Sequence, residues 1–113
     1  MRPEARKLLT DVLDAAEAIQ RFVSGFDFEA YRTNELVRSA VERRFEVIGE
    51  AMAQLRKSDA AVARRIPDLS QIVAFRNVLI HRYVEVDDRV VWSVVEGKLP
   101  ALRAAAKALV AEP

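Results

Sequence analysis

The strongest constraint on this chain is a pair of long stretches whose apolar side chains recur at three- and four-residue steps. In the first, Leu8, Val12, Ala15, Ile19 and Phe22 form a stripe that Leu9, Leu13, Ala16 and Val23 widen. In the second, the stripe is Val37, Val41, Phe45, Ile48, Met52 and Leu55. Such spacing gathers side chains on one face of a helix, whereas a half-buried strand would need strict alternation. Each stretch therefore predicts a long amphipathic helix that must bury its stripe against another element. Only three Gly and four Pro in 113 residues argue against a turn-rich all-β fold.

Local punctuation sets the boundaries. Pro3 suits a first helical turn and Gly25 a left-handed stop, so the first helix runs from about Pro3 to Ser24. Phe26 to Tyr31 is an aromatic-rich connection with one helical turn capped by Asp27. Thr33 or Asn34 caps a second helix that reaches about Lys57. A short helix falls between Ser58 and Ile66, before Pro67. Asp68 and Gln71 are spaced as a capping box for a third helix that runs to about Tyr83. Asp87 or Asp88 caps the segment Arg89 to Glu96. Gly97 and Pro100 then break or kink the chain before a last helix, Ala101 to Ala111. The β-branched run around Trp92 resembles a strand in composition, but no partner strand exists. The expected fold is all-α: an antiparallel four-helix bundle with a short extra helix and a kinked or broken C-terminal helix, forming one domain over residues 1–113.

The third helix carries the unusual chemistry. On a helical wheel Phe75, Arg76, Leu79 and Tyr83 lie within roughly 60° of Ile72, while Val73 and Ile80 flank them. Most of the circumference is apolar, so this helix is expected to be central. A narrow polar stripe of Ser70, Asn77 and His81 occupies the far side. An arginine on the apolar face is costly unless its charge is paired or reaches water, and Glu50 of the second helix is a candidate partner for Arg76.

Charge and composition narrow the function. Eighteen basic and 17 acidic residues leave a net charge of +1, so any affinity for nucleic acid must come from a local patch. Cysteine is absent, which excludes thiol chemistry and fits a reducing compartment. Charges recur early in the N-terminal stretch, so no secretory signal is expected, and no run approaches the ~18 apolar residues of a membrane span. The expected location is the cytoplasm. Glu42, Glu46 and Glu50 recur every four residues, but the chain has a single His and lacks the Glu-x-x-His motif of metal-binding bundles. A charge-paired face with Arg38, Arg43 and Arg44 is the expected arrangement, with no metal and no cofactor. Trp92 is read as packing rather than base stacking, and Arg64 and Arg65 beside Lys57 as solubilising charge.

The spacing Arg76-Asn77-Val78-Leu79-Ile80-His81-Arg82-Tyr83, an Arg-x-x-x-x-His-x-Tyr pattern, resembles the HEPN superfamily, and in particular the HepT-type ribonuclease toxins. The segments Ala40 to Ala51, Phe75-Arg76-Asn77 and Val91 to Pro100 are similar to that family in the same order. The resemblance implies a metal-independent endoribonuclease with Arg76 and His81 as the catalytic pair and Asn77 as a supporting polar group. It also implies a small nucleotidyltransferase antitoxin that attaches AMP to Tyr83, where added phosphate would repel RNA.

The implied chemistry is physically sound. RNA cleavage takes a proton from a 2′-hydroxyl and gives one to the leaving oxygen, and imidazole suits both tasks near neutral pH. The guanidinium fork matches phosphate oxygens as they gather charge. Residues five apart on a regular helix, however, point ~140° apart with ~7.5 Å of rise between them. A symmetric homodimer resolves this by facing two motifs across a twofold axis, so that a chain with one His supplies both base and acid. A rival reading is a non-catalytic partner or substrate-binding subunit of a nucleotidyltransferase; another is a degenerate interaction domain.

Overall fold

A computed structural model describes residues 1–81 and 85–113. Seven helices follow in order: α1 (Pro3–Phe22), α2 (Phe28–Arg32), α3 (Glu35–Ser58), α4 (Ala60–Ala63), α5 (Leu69–Ile80), α6 (Asp88–Gly97) and α7 (Leu99–Val110). No strand occurs among the described residues, and the fold is the expected all-helical bundle. Its extents of 42 × 30 × 19 Å make it only about two helix diameters thick in its shortest direction.

Side-chain caps start the elements as the local sequence dictates. The Asp27 carboxylate accepts from the Ala30 N–H at 2.8 Å, the Asn34 side chain from Val37 at 3.0 Å, and Asp87 from Arg89 at 2.9 Å. Gly25 takes a left-handed φ of 78° after α1, a conformation that costs a residue with a Cβ. Pro100 sits in the first turn of α7, where its missing N–H is harmless.

The expected capping box at Asp68 does not form. Asp68 adopts a left-handed φ of 59°, and its side chain caps nothing. Lys98 instead donates to Gln71 Oε1 at 2.6 Å and lies 3.6 Å from Asp68 Oδ2. A cation distant in sequence thus draws both side chains toward the α6–α7 junction.

α3 is the spine. Val41, Phe45, Ile48 and Met52 are completely buried there, and α1 packs along it with Leu9, Val12, Ala16 and Ile19. α7 covers α1 through Leu99, Leu102 and Ala106, and the Glu17–Arg103 ion pair at 2.9 Å ties them at the rim. Tyr31 of α2 is fully buried with its ring 5.3 Å from that of Trp92, which holds α6 over the α2–α3 corner. Trp92 is thereby part of the core.

α5 is not the central helix that its composition suggested. It packs chiefly on α3, through Ile72, Val73, Leu79 and an edge-on contact of Phe75 with Phe45 at 5.3 Å. Val78 remains 48% exposed and Ile80 43% exposed. A helix with apolar residues nearly all round thus has one extensive partner among the described elements. α5 also stops at Ile80, with His81 in a non-helical conformation, short of the expected end near Tyr83, a residue outside the described set.

Candidate active site

α3 and α5 cross at Gly49 and Arg76. Gly49 is buried in the middle of α3, and a Cβ built on it would stand 2.2 Å from Arg76 Cβ and 2.5 Å from Cγ. Glycine inside a helix costs about 1 kcal/mol relative to alanine. Here it lets the backbone of α5 settle directly on α3. From that contact the Arg76 side chain, 18% exposed, runs along α3 until Nη1 lies 3.3 Å from Glu50 Oε2. Its Nε is buried with no hydrogen-bond partner among the described residues. Glu50 is 57% exposed, so the pair is worth at most about 1 kcal/mol. A phosphate that meets the guanidinium fork in two places can share or displace it.

Arg76 opens into a groove of about 390 Å³ bounded by α1, α3 and α5. Its walls carry Asp11, Arg43, Glu46, Gln54 and Ile80 besides the Arg76–Glu50 pair. Each carboxylate has a cation close by: Lys7 at 2.7 Å from Asp11 and Arg43 at 3.3 Å from Glu46. The groove is therefore close to charge-balanced.

His81 stands exposed at the C-terminal cap of α5 and is not among the residues that line this groove. Asn77, one turn earlier, is exposed too. On the helical wheel Asn77 and His81 share the outward face with Ala74 and Val78, all of them exposed. Within the chain, then, Arg76 turns inward onto α3 while His81 and Asn77 face out. Tyr83 lies outside the described residues. No group of three or more metal-ligating side chains is gathered among the described residues, and no described helix is long and apolar enough to cross a membrane.

A larger cavity, about 430 Å³, lies at the start of α5 and is lined by Arg56, Arg64, Asp68 and Ser70 among others. It is roughly 16 Å along the helix from His81, too far for the two to share one phosphate. Sequence reasoning alone does not single out Gly49. Its one signal was a glycine within an otherwise strong helical stripe.

The model of the family described as Ribonuclease HepT-like matches residues 12–109, and the chain belongs to that family. RNA cleavage is the activity that the family carries. The chain is 31% identical over 103 residues to a Thermococcus cleftensis protein named "Probable ribonuclease HepT", covering 91% of this chain and 93% of that protein. A candidate RNase of Methanocaldococcus jannaschii is 28% identical over 88% of this chain and 91% of its own length. Another, from Caldanaerobacter subterraneus subsp. tengcongensis, is 30% identical over 86% of each chain. No solved structure matches.

Proposed function

We propose that this chain is a cytoplasmic, metal-independent endoribonuclease, the toxin of a toxin–antitoxin pair, and that it cleaves RNA as a homodimer through Arg76 and His81. The observation that carries the reading is the uncovered outer face of α5, where Val78 is 48% exposed on the same side as Asn77 and His81. An apolar side chain beside the motif gives a second copy something to cover. Two such faces meeting across a twofold axis bring two imidazoles together, with the two guanidiniums behind them.

In that cleft one neutral imidazole takes the proton of the 2′-hydroxyl. The freed oxygen attacks phosphorus, and the bond to the 5′ oxygen breaks. The second imidazole, protonated, gives its proton to that leaving oxygen, so a cyclic phosphate and a free 5′-hydroxyl result. Arg76 balances the charge that collects on the phosphoryl oxygens, and Asn77 adds a neutral hydrogen-bonding group on the face of His81. A cognate nucleotidyltransferase antitoxin transfers AMP from ATP to the Tyr83 hydroxyl, which loses its proton as pyrophosphate leaves; the added phosphate repels RNA and shuts the cleft.

Expression with and without His81→Ala tests the reading. Growth arrest and RNA breakdown are expected from the unaltered chain alone. Neither arrest nor RNA breakdown from either chain overturns the nuclease and favours the nucleotidyltransferase-partner reading, which the near charge balance of the chain suits; equal RNA breakdown by both overturns the role of His81. Mass spectrometry of chain co-expressed with its antitoxin should find one added AMP on Tyr83; its absence removes the neutralisation mechanism.

A further inference from the structure

We propose that Gly49 is a positioning residue for Arg76: by presenting no side chain, it sets the depth at which α5 docks on α3 and so fixes where the guanidinium stands. The inference rests on the nuclease reading above for its functional half, and on geometry alone for its structural half.

Two observations carry it. The first is the closeness of approach. A Cβ on Gly49 would overlap the first two carbons of the Arg76 side chain, at 2.2 and 2.5 Å, and would lie 3.6 Å from its Cα. The nearer of the two, Cβ, is fixed by the backbone, so no rotamer change can clear it. α5 itself would have to withdraw by more than an ångström to reach ordinary contact. The second is how little else holds the guanidinium. Among the described residues its polar contact is Nη1 to a largely exposed Glu50, and Nε is buried without a partner. A group fixed by so few hydrogen bonds takes its position from the packing of its stem. The docking depth at Gly49 is what determines that packing.

The functional consequence follows from the cost of misplacement. A displacement of about 1 Å at a catalytic group lowers a rate by roughly a hundredfold. Substrate held by the rest of the cleft would bind almost as before. The loss should therefore appear in kcat, with KM little changed.

The test is a cycle of four chains: unaltered, Gly49→Ala, Arg76→Gly, and both substitutions together. Thermal melts are taken on all four, and cleavage of a fluorogenic RNA is followed for the unaltered and Gly49→Ala chains at temperatures where circular dichroism shows them folded. Gly49→Ala is expected to lower Tm by more than about 5 °C and kcat by about a hundredfold, with KM within about threefold. In the Arg76→Gly background the same substitution should leave Tm unchanged or raise it, because the nearest atom still to be met is the Cα at 3.6 Å, an ordinary contact. A folded Gly49→Ala chain with undiminished kcat overturns the positioning role. An equal loss of Tm in both backgrounds overturns the contact. Should Gly49→Ala not fold, recovery of a folded chain by adding Arg76→Gly supports the proposal, and failure to recover overturns it. Separately, no cleavage by the unaltered chain would remove the nuclease reading, and equal cleavage by the unaltered and Arg76→Ala chains would remove the catalytic role of Arg76; either result leaves the melting cycle intact.

Discussion

Replacing Val78 by aspartate should separate two copies of this chain without unfolding either. Val78 lies on the outward side of α5 and is 48% exposed. Full burial of a valine is worth roughly 1.5–3 kcal/mol, so covering the exposed half contributes about 1 kcal/mol. In a twofold contact every residue counts twice, which doubles that figure. Aspartate also places a carboxylate in each half of the contact, at roughly 2 kcal/mol or more apiece. The combined loss of about 6 kcal/mol weakens association by about 10⁴-fold. Sedimentation velocity over a concentration series reads the change. The unaltered chain should sediment as a dimer and Val78→Asp as a monomer, with the same far-ultraviolet helix signal. RNA cleavage should fall with the dimer fraction. A Val78→Asp chain that stays dimeric and cleaves normally would refute the assignment of this helix face to the interface.

The remaining predictions concern the scaffold. Tyr31→Phe should raise stability by about 1 kcal/mol, because the hydroxyl is buried without a partner among the described residues and its removal leaves the Trp92 contact intact. Burial, aided by Glu42 and Asp88, pushes this phenol above its ordinary value. A raised folded pKa gives stability that is whole below the ordinary phenol value near 10 and is lost as pH rises beyond it. Melts of the unaltered chain should thus fall off above about pH 10, and those of Tyr31→Phe less so; parallel alkaline curves would contradict the assignment. Asn34→Ala removes the cap of α3 and should cost about 1 kcal/mol in urea denaturation. Lys98→Ala should cost less than about 1 kcal/mol, since both of its contacts are at the surface. Amide exchange in the first turn of α5 should nonetheless quicken, and unchanged exchange there would show that Lys98 does not hold that turn.

What was legible in the sequence was what local chemistry decides. Asp27, Asn34 and Asp87 cap their helices because the partner N–H lies two or three residues away. The stripes of α1 and α3 became the core because a helical period leaves an apolar face no alternative to burial. The opposed directions of Arg76 and His81 were readable from their five-residue spacing. What failed depended on distant partners. Asp68 and Gln71 have the spacing of a capping box, yet Lys98 claims both. α5 has the composition of a central helix, yet Val78 and Ile80 stay nearly half exposed, because periodicity shows that a face wants burial and not which element supplies it. Gly49 was invisible for the same reason: its importance arises from where another helix crosses.

Diluting the unaltered chain with His81→Ala chain tests the composite site most directly. The His81→Ala protein alone is expected to cleave RNA weakly or not at all. Unfolded together in equal amounts and refolded, half of the dimers should pair one chain of each kind, so that their cleft holds a single histidine. Such dimers lack either the base or the acid, and the mixture should keep about a quarter of the activity of the same total amount of unaltered protein. If the mixed dimers form and the mixture keeps about half of that activity, each chain carries a complete site of its own and the shared cleft is contradicted.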